Sequence, residues 1–251
     1  IITIPSGQTS GFVKFIIADD AKDETTETAT ITLASPGSGI TLGVNIADDI
    51  VIENNDCSML TKAHYYTSAN GAEISAFDPA SDRLYTVAGN TVEYFSISNT
   101  GQLTLLGNIN PGFIVQEGFS AIPNSVAIKN GILAASYAIR NNTTNAQDSG
   151  QVSLFNAGNA TFIKAVKTGY LPDMVIFSPY GNKVLTANEG EPNSYNQGNS
   201  FDPEGSVSII DISNGALNAS VSHAGFTSYN GQIVTLRNQG IRIFGPNATV
   251  A

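Results

Sequence analysis

Residues 1–56 alternate apolar and polar side chains in short runs that end at turn residues. The longest runs cover residues 12–17 and 28–33, and shorter ones cover 44–46 and 50–52. Alternation with a period of two predicts strands that turn one face to a core and the other to solvent. Several short strands at this spacing predict a β-sandwich.

A longer unit recurs from residue 70 onward. Phe77, Ile128 and Phe177 hold equivalent positions in it, so its periods are 51 and 49 residues. Each copy reads as a strand, a tight turn, a strand, a loop, a strand, a loop and a fourth strand. A four-stranded repeat of about 40–50 residues is typical of a β-propeller blade. The pattern therefore predicts three blades.

Three blades do not close a ring, since propellers have four or more. Beyond the third copy the chain has a Gly, Asn and Ser-rich stretch over 214–230 and a predicted short helix near 231–237. The chain also begins, at residues 1–5, in what reads as the middle of a strand. Open sheet edges expose unpaired backbone groups. We therefore expect a segment of a longer protein, in which further blades or a second chain cover the edges.

The composition narrows the classes of function. The 251 residues include 11 Lys and Arg against 21 Asp and Glu, a net charge of −10, which argues against nucleic acid and anionic membrane surfaces as partners. Charged residues make up 13% of the chain, about half the usual share. No apolar run reaches the roughly 18–20 residues of a membrane span, so we expect no membrane insertion. The single cysteine excludes an internal disulfide.

The negative charge is concentrated at one end. Residues 1–56 carry nine acidic and two basic side chains, whereas residues 57–251 carry twelve and nine, so the net charges are −7 and −3. This break coincides with the change from short alternating runs to the long repeat. It predicts a first domain over 1–56, a linker leading into the propeller over 57–69, and the opening blades over 70–251.

Several short motifs of the first domain stand at a specific spacing. They are TIPSGQTSG at 3–11, IADD at 17–20, DETTE at 23–27, ITL at 31–33 and IENND at 52–56. Together they resemble the later half of a Calx-beta domain, an Ig-like sandwich that often binds calcium through acidic loops at one end. The resemblance implies a partial Ig-like Calx-beta sandwich. Together with the repeat, it predicts an all-β chain in which this sandwich precedes an incomplete β-propeller of about three four-stranded blades.

The acidic loops of this domain supply candidate calcium ligands. Ca²⁺ takes 6–8 oxygen ligands, which clustered carboxylates on neighbouring loops can provide. The candidate ligands are Asp19, Asp20, Asp23, Glu24 and Asp56. Asn54 and Asn55 stand where the family usually carries acids, so this chain has fewer carboxylates than the family pattern. A solvated acidic loop without metal is the alternative.

The third repeat carries a second resemblance. Its motifs are ANEGEPNSY at 187–195, DPEGSVSIIDI at 202–212, NGQ at 230–232 and GIRIFGP at 240–246. They are similar to the choice-of-anchor I family, over about residues 60–251. The resemblance implies a seven-bladed propeller carried on large multidomain proteins that are secreted or displayed on the bacterial cell surface.

A long loop of the third repeat holds a second group of acids. They are Glu189, Glu191, Asp202 and Glu204. Loops longer than about 12 residues in a compact domain are usually functional or disordered, and four carboxylates can hold a divalent cation. Asn193 or Asn196 can add carbonyl ligands. The alternative is that Pro and Gly stiffen the loop while the acids face water.

The residues give no catalytic assignment. His64 and His223 lie outside both acidic groups, no Cys/His arrangement surrounds Cys57, and no Gly-x-Ser-x-Gly elbow is present. We therefore expect adhesion, recognition or structural spacing, with calcium stiffening the acidic loops. Two alternatives stay open: a phosphatase- or esterase-like propeller enzyme, and an exported segment bound to secretion machinery. The expected partners are the rest of a longer chain and, as candidates, other surface proteins, glycans or export machinery.

Overall fold

The computed structural model describes residues 1–18, 22–55, 63–195 and 197–243. The chain divides into two compact units, Ile1–Lys62 and Ala63–Ala251. Within the described ranges both units consist of antiparallel strands, apart from three short helical segments near the end of the second unit. The division falls inside the predicted linker over 57–69, and the predicted domain bounds themselves stay a prediction.

The first unit has one pair of strands among its described residues. β1 (Glu27–Thr32) lies antiparallel to β2 (Ala47–Ile52), with Glu27 opposite Ile52. None of the unit's described residues is buried. The apolar side chains of its alternating runs are therefore not covered by a second sheet of the described chain.

Two strand predictions are wrong in this unit. The runs over 12–17 and 44–46 form no strand, although the run over 28–33 overlaps β1 and the run over 50–52 lies within β2. An alternating run becomes a strand only where a neighbouring strand takes up its backbone hydrogen bonds. No strand of the described chain pairs with the two failed runs: the 44–46 run receives one backbone hydrogen bond, from the Leu33 N–H to the Ile46 carbonyl oxygen, and Phe12 is 91% exposed. Of the predicted sandwich, the described chain contains the β1–β2 pair.

Three four-stranded sheets make up the second unit, and in each of them consecutive strands pair antiparallel. The first sheet contains β3 (Ser75–Asp78), β4 (Arg83–Ala88), β5 (Thr91–Ile97) and β6 (Leu103–Ile109). The second contains β7 (Phe119–Lys129), β8 (Ile132–Asn141), β9 (Gln147–Asn156) and β10 (Phe162–Tyr170). The third contains β11 (Pro172–Phe177), β12 (Lys183–Asn188), β13 (Ser206–Asp211) and β14 (Ser220–Gly225). The three predicted blades are confirmed.

The last strand of the third sheet corrects one expectation. β14 lies inside the stretch over 214–230, which the composition set apart from the blades. It forms a strand because β13 pairs with it along its whole length, with Ile210 opposite Val221. The short helix predicted near 231–237 is confirmed as α1 (Ile233–Asn238). No helix of the described chain is long and apolar enough to cross a lipid bilayer.

The core of the second unit lies between successive sheets. One buried cluster, with Tyr85 and Leu133, joins the first sheet to the second, and another, with Leu154 and Ile210, joins the second to the third. A fully buried side chain of this size contributes about 1.5–3 kcal/mol. The first strands β3, β7 and β11 lie next to one another, as the inner strands of propeller blades do. The unit is an incomplete β-propeller.

The turn between β7 and β8 shows how local sequence sets this packing. Asn130 and Gly131 have φ angles of 51° and 74°. A two-residue turn that matches the twist of a hairpin needs positive φ at both positions, which Asn and Gly adopt most readily. The turn fixes Lys129 opposite Ile132. That register places Tyr137 in the core between the first two sheets.

Candidate functional site

The structure describes two of the five predicted calcium ligands of the first unit, Asp23 and Glu24. Asp23 Oδ1 accepts a hydrogen bond from Asn54 Nδ2 at 2.7 Å. This bond joins two segments that the sequence reasoning treated as neighbouring loops. The other three candidates, Asp19, Asp20 and Asp56, lie outside the described residues.

An acidic cavity of about 430 Å³ lies in the first unit. Its charged lining residues are Glu24, Glu27, Glu53 and Lys22. Three carboxylates against one ammonium group give the wall a net negative charge, and carboxylate oxygens are ligands that Ca²⁺ prefers. Sequence reasoning missed Glu27 and Glu53 in this role. The β1–β2 pairing brings them together, because Glu27 lies opposite Ile52.

The long loop of the third sheet joins β12 to β13 and is closed by Asn193. The Asn193 N–H donates to the Phe201 carbonyl oxygen at 3.0 Å, and Asn193 Oδ1 accepts from the Phe201 N–H at 2.8 Å. Asn193 Nδ2 donates to the Thr144 carbonyl oxygen, between β8 and β9, at 3.2 Å. The side chain predicted as a cation ligand therefore ties the loop to the second sheet. Asn196 lies outside the described residues.

The acids of this loop have different neighbours. Glu191 Oε2 lies 4.0 Å from Arg140 Nη2. Burial, and then the charges of Asp173 and Glu191, raise the pKa of Glu189 above its usual value. Asp202 is exposed. No three His, Cys, Asp or Glu side chains of the described residues are placed to hold a metal ion together, so these acids are not gathered into one cation site.

A second cavity, which we name the lateral cavity, lies beside the second and third sheets and has a volume of about 420 Å³. Its lining includes Ser149, Thr168, Tyr170, Glu204, Ser206 and His223. In the sequence His223 lies outside the acidic groups, and the structure shows that one acid of the long loop, Glu204, lines the same cavity as His223. The pairing of β14 with β13 sets His223 opposite Ser208 and so places it at the cavity that Glu204 also lines. Sequence distance gave no sign of that pairing.

A buried hydrogen-bond network holds His223. Asn188 Nδ2 donates to Ser208 Oγ at 2.8 Å and to Ser206 Oγ at 3.0 Å, and the Gly169 N–H donates to Ser208 Oγ at 3.2 Å. Asn188 and Ser208 are 3% and 0% exposed. The Ser208 hydroxyl accepts two hydrogen bonds, so its one proton is directed to His223 Nδ1, 3.0 Å away. His223 then carries its own proton on Nε2.

Two glycines leave room for this arrangement. A Cβ on Gly169 would lie 2.5 Å from Ser206 Oγ and 2.7 Å from Asn188 Nδ2. A Cβ on Gly225 would lie 2.7 Å from Glu204 Oε1. Both approaches are closer than van der Waals contact allows. At Gly169 the close atoms belong to the buried network, so glycine is needed there; at Gly225 the close atom is the end of the exposed Glu204 side chain, which can move aside.

The inner strands of the sheets line a further cavity of about 560 Å³. Glu73, Asn124 and Asp173 form part of its polar wall. All three hold the same place in the repeat, four residues before the apolar position that aligns the copies. Asn124 Nδ2 donates to the Pro172 carbonyl oxygen at 3.2 Å. The register of the repeat was the signal that could have found this ring of oxygen-bearing side chains, and the sequence reasoning did not use it.

At the equivalent register position, the third strand of each sheet has a buried polar side chain: Glu93, Ser153 or Ser208. Ser153 Oγ donates to the Pro111 carbonyl oxygen at 2.5 Å, and Glu93 Oε1 accepts from Ser68 Oγ at 3.1 Å. Glu93 Oε2 is buried without a partner among the described residues. In each case the polar group ties its sheet to the chain segment that precedes the sheet.

The choice-of-anchor I domain matches residues 73–251, well over half of the chain. The chain belongs to the choice-of-anchor I family. This confirms the resemblance carried by the third repeat, and a choice-of-anchor I domain indicates a bacterial surface-associated protein. Residues 1–72 lie outside the match, so the Calx-beta resemblance of the first domain stays a prediction. No curated protein matches the chain.

Three of the solved structures similar to this choice-of-anchor I chain are at most 16% identical to it. A candidate 6-phosphogluconolactonase from Bacteroides fragilis is 16% identical with a TM-score of 0.43, over 62% of this chain and 39% of the other. Hydrazine synthase from Kuenenia stuttgartiensis is 15% identical with a TM-score of 0.28, over 66% and 53%. A protein from Lactobacillus plantarum is 11% identical with a TM-score of 0.28, over 80% and 66%. The chain thus spans about two fifths of the first protein's length, and the activities of these proteins do not transfer to it.

Proposed function

We propose that this choice-of-anchor I chain serves adhesion, recognition or structural spacing as part of a secreted or surface-displayed bacterial protein, and that calcium stabilises its first unit. Family membership supports the surface location. The calcium proposal rests on one observation: residues 1–56 carry a net charge of −7, while none of the described residues of the first unit is buried. Such a unit has little apolar burial to offset chain entropy and charge repulsion.

The described acids of the first unit supply part of a calcium ligand set, since no three of them are placed to hold a metal ion by themselves. The hydrogen bond from Asn54 orients the Asp23 carboxylate, and Glu24, Glu27 and Glu53 line the acidic cavity. Ca²⁺ prefers flexible sets of carboxylate and carbonyl oxygens. Bound there, the ion supplies positive charge that cancels the repulsion between these carboxylates. The acids of the long loop, which have separate neighbours, are the weaker of the two candidate cation sites.

The distribution of tyrosines allows each unit to be followed separately. The chain has nine Tyr and no Trp, and every Tyr lies beyond residue 62. Tyrosine fluorescence therefore reports the second unit alone, whereas amide NMR signals of β1 and β2 report the first. In millimolar Ca²⁺, compared with EDTA, we expect the β1–β2 transition to shift to higher temperature and the tyrosine transition to stay in place.

Matched variants identify the ligands. Glu24→Gln should reduce the calcium effect, whereas Asp48→Asn, which removes the same charge at the other end of the hairpin opposite Ile31, should keep it. Binding at about 10–100 times Kd stabilises by roughly 1–3 kcal/mol. Identical β1–β2 transitions in EDTA and Ca²⁺ would overturn the calcium proposal. A calcium shift confined to the tyrosine signal would assign the ion to the second unit instead.

A further inference from the structure

The lateral cavity is lined by hydrogen-bonding groups of both kinds and by an aromatic ring. Glu204 supplies carboxylate acceptors, Ser149 and Thr168 supply hydroxyls, and Tyr170 supplies the ring. None of the described residues that line it is Lys or Arg, so no positive charge is present to compensate a bound anion. Its volume of about 420 Å³ lies within the range of about 300–1,000 Å³ typical of ligand pockets. We propose that this cavity binds a neutral saccharide.

The proposal deepens the recognition role stated above by naming a class of ligand, and it rests on that role. Sugar hydroxyls both donate and accept hydrogen bonds, so they match a wall that mixes carboxylate, hydroxyl and imidazole groups. The cavity has too few metal-binding side chains to suit a cation. His223 and Glu204 are the cavity's two metal-binding side chains, whereas Ca²⁺ takes 6–8 ligands, and no third His, Cys, Asp or Glu of the described residues is placed to complete a metal site with them.

The network behind the wall fixes two donors in advance. Ser208 directs its proton to His223 Nδ1, so the imidazole of His223 keeps an N–H at Nε2. Ser206 Oγ accepts from Asn188 Nδ2, which leaves the Ser206 hydroxyl proton for a ligand oxygen. Donors held in place before binding lose less conformational freedom on binding, and this favours affinity.

The long loop positions the aromatic ring. Tyr170 and Phe201 pack edge to face, with ring centroids 5.8 Å apart and an interplanar angle of 69°. This contact restrains the Tyr170 ring, against which the C–H face of a sugar can pack. The Asn193–Phe201 hydrogen bonds hold Phe201 in turn. The loop that the sequence singled out for its acids thus acts here as the support of a recognition surface.

Saturation-transfer NMR on the full chain tests the proposal with five neutral sugars: glucose, galactose, N-acetylglucosamine, maltose and cellobiose. We expect transfer to at least one of them. Glu204→Gln should raise its Kd about tenfold, the loss expected for one charge-assisted hydrogen bond. The matched variant Glu117→Gln, an exposed carboxylate outside the cavity, should leave Kd unchanged. If Glu204→Gln lowers the thermal midpoint, Tyr170→Ala replaces it, with Tyr170→Phe as its control.

Nitrogen-15 NMR of the histidine side chains gives a second readout. His64 Nδ1 accepts from the Leu103 N–H, so both histidines should show the Nε2–H form, and His64→Gln assigns the His223 signal. Addition of the bound sugar should shift that signal. A proton on Nδ1 of His223 would overturn the proposed network, and a signal that the sugar leaves unchanged would overturn the site.

The outcomes separate this inference from the function on which it rests. Absence of transfer to all five sugars, or binding that Glu204→Gln leaves unchanged, overturns the saccharide proposal. If beads coated with the chain still adhere to bacterial or host-cell surfaces, the recognition role stands without it. If the beads do not adhere either, the saccharide proposal and the recognition role both fail. Shifts of the His223 signal with Ca²⁺ alone, and with none of the sugars, would assign the cavity to a cation and overturn the saccharide.

Discussion

The two units of this chain show similar alternation in sequence but differ in what surrounds their strands. Ile16, in the first unit, is 85% exposed, whereas Leu133, in the second, is 0% exposed. In the second unit three sheets stack, and two clusters of buried side chains lie between successive sheets. In the first, the described residues form one pair of strands, and isolated pairs are marginally stable in water. Alternation therefore predicts the two faces of a strand, while stability depends on a second layer.

Truncation of an apolar side chain should give the largest difference in stability change between the two units. Leu133→Ala removes a fully buried side chain between the first and second sheets, so it should destabilise the second unit by about 2–5 kcal/mol. Ile16→Ala, at an exposed position, should change stability by no more than about 0.5 kcal/mol. Urea unfolding followed by tyrosine fluorescence and by amide NMR measures the two effects. Equal losses of unfolding free energy for Leu133→Ala and Ile16→Ala would contradict the difference in burial between the two units.

High pH should weaken the second unit alone. Burial raises the pKa of Tyr85 to about 12 and also raises the pKa of Tyr137. The unfolded chain loses these protons near pH 10, while the folded chain keeps them. The contribution of these two tyrosines to the free energy of unfolding is therefore fully present below about pH 10. It is lost as the pH rises from 10 to about 12. Urea midpoints between pH 8 and 12 measure this, and a flat curve for the second unit would contradict it.

The same two tyrosines give a smaller, matched comparison. Tyr85 Oη donates to the Ala157 carbonyl oxygen at 2.5 Å, so Tyr85→Phe should cost about 1 kcal/mol. Tyr137 Oη is buried without a partner among the described residues, so Tyr137→Phe should be neutral or stabilising. Thermal unfolding of the two variants tests this. A cost at Tyr137 equal to that at Tyr85 would show that its hydroxyl has a partner, such as a buried water.

Two carboxylates of the third sheet and its loop should give the smallest effects, of opposite sign. The raised pKa of Glu189 means that its charge disfavours the folded state, so Glu189→Gln should slightly raise the melting temperature at pH 7. Hydrogen bonds from Lys183 and then Ser213 hold the pKa of Asp211 well below its usual value, so Asp211→Asn should slightly lower it.

The pH dependence of these two variants follows from the same shifts. Glu189 contributes most stability at low pH and loses it as the pH rises through its raised pKa, whereas Asp211 contributes above the usual pKa of an aspartate and loses it as the pH falls. Both differences from the parent chain should therefore be visible at pH 7 and shrink in acid. Melting curves at pH 3 and pH 7 check this, and shifts of the same sign at pH 7 would contradict it.

The repeat was the part of the fold that the sequence predicted best. Equivalent positions about 50 residues apart set the three sheets, and the same register contains the ring of Glu73, Asn124 and Asp173. The failed strands over 12–17 and 44–46 have the right pattern, but no described strand pairs with them. An alternating pattern shows that a segment favours a strand. It does not show whether another strand pairs with that segment or a second sheet covers it.

The lateral cavity was beyond sequence reasoning for a different reason. Glu204 and His223 line one cavity because β13 and β14 pair across an intervening loop, and Ser208 contacts His223 through that pairing. The acids of the long loop were singled out by their spacing alone, and the structure gives them separate neighbours. Closeness along the chain therefore suggested an acidic cluster that the described residues do not form, and it gave no sign of the polar cavity.

The central claim is that a buried core stabilises the second unit and that bound calcium stabilises the first. Hydrogen exchange of the full chain, in EDTA and in millimolar Ca²⁺, tests it most directly. We expect amides of β8 and β9 to be protected in both solutions, and amides of β1 and β2 to gain protection only with Ca²⁺. Equal protection of β1 and β2 in EDTA and in Ca²⁺ would contradict the claim.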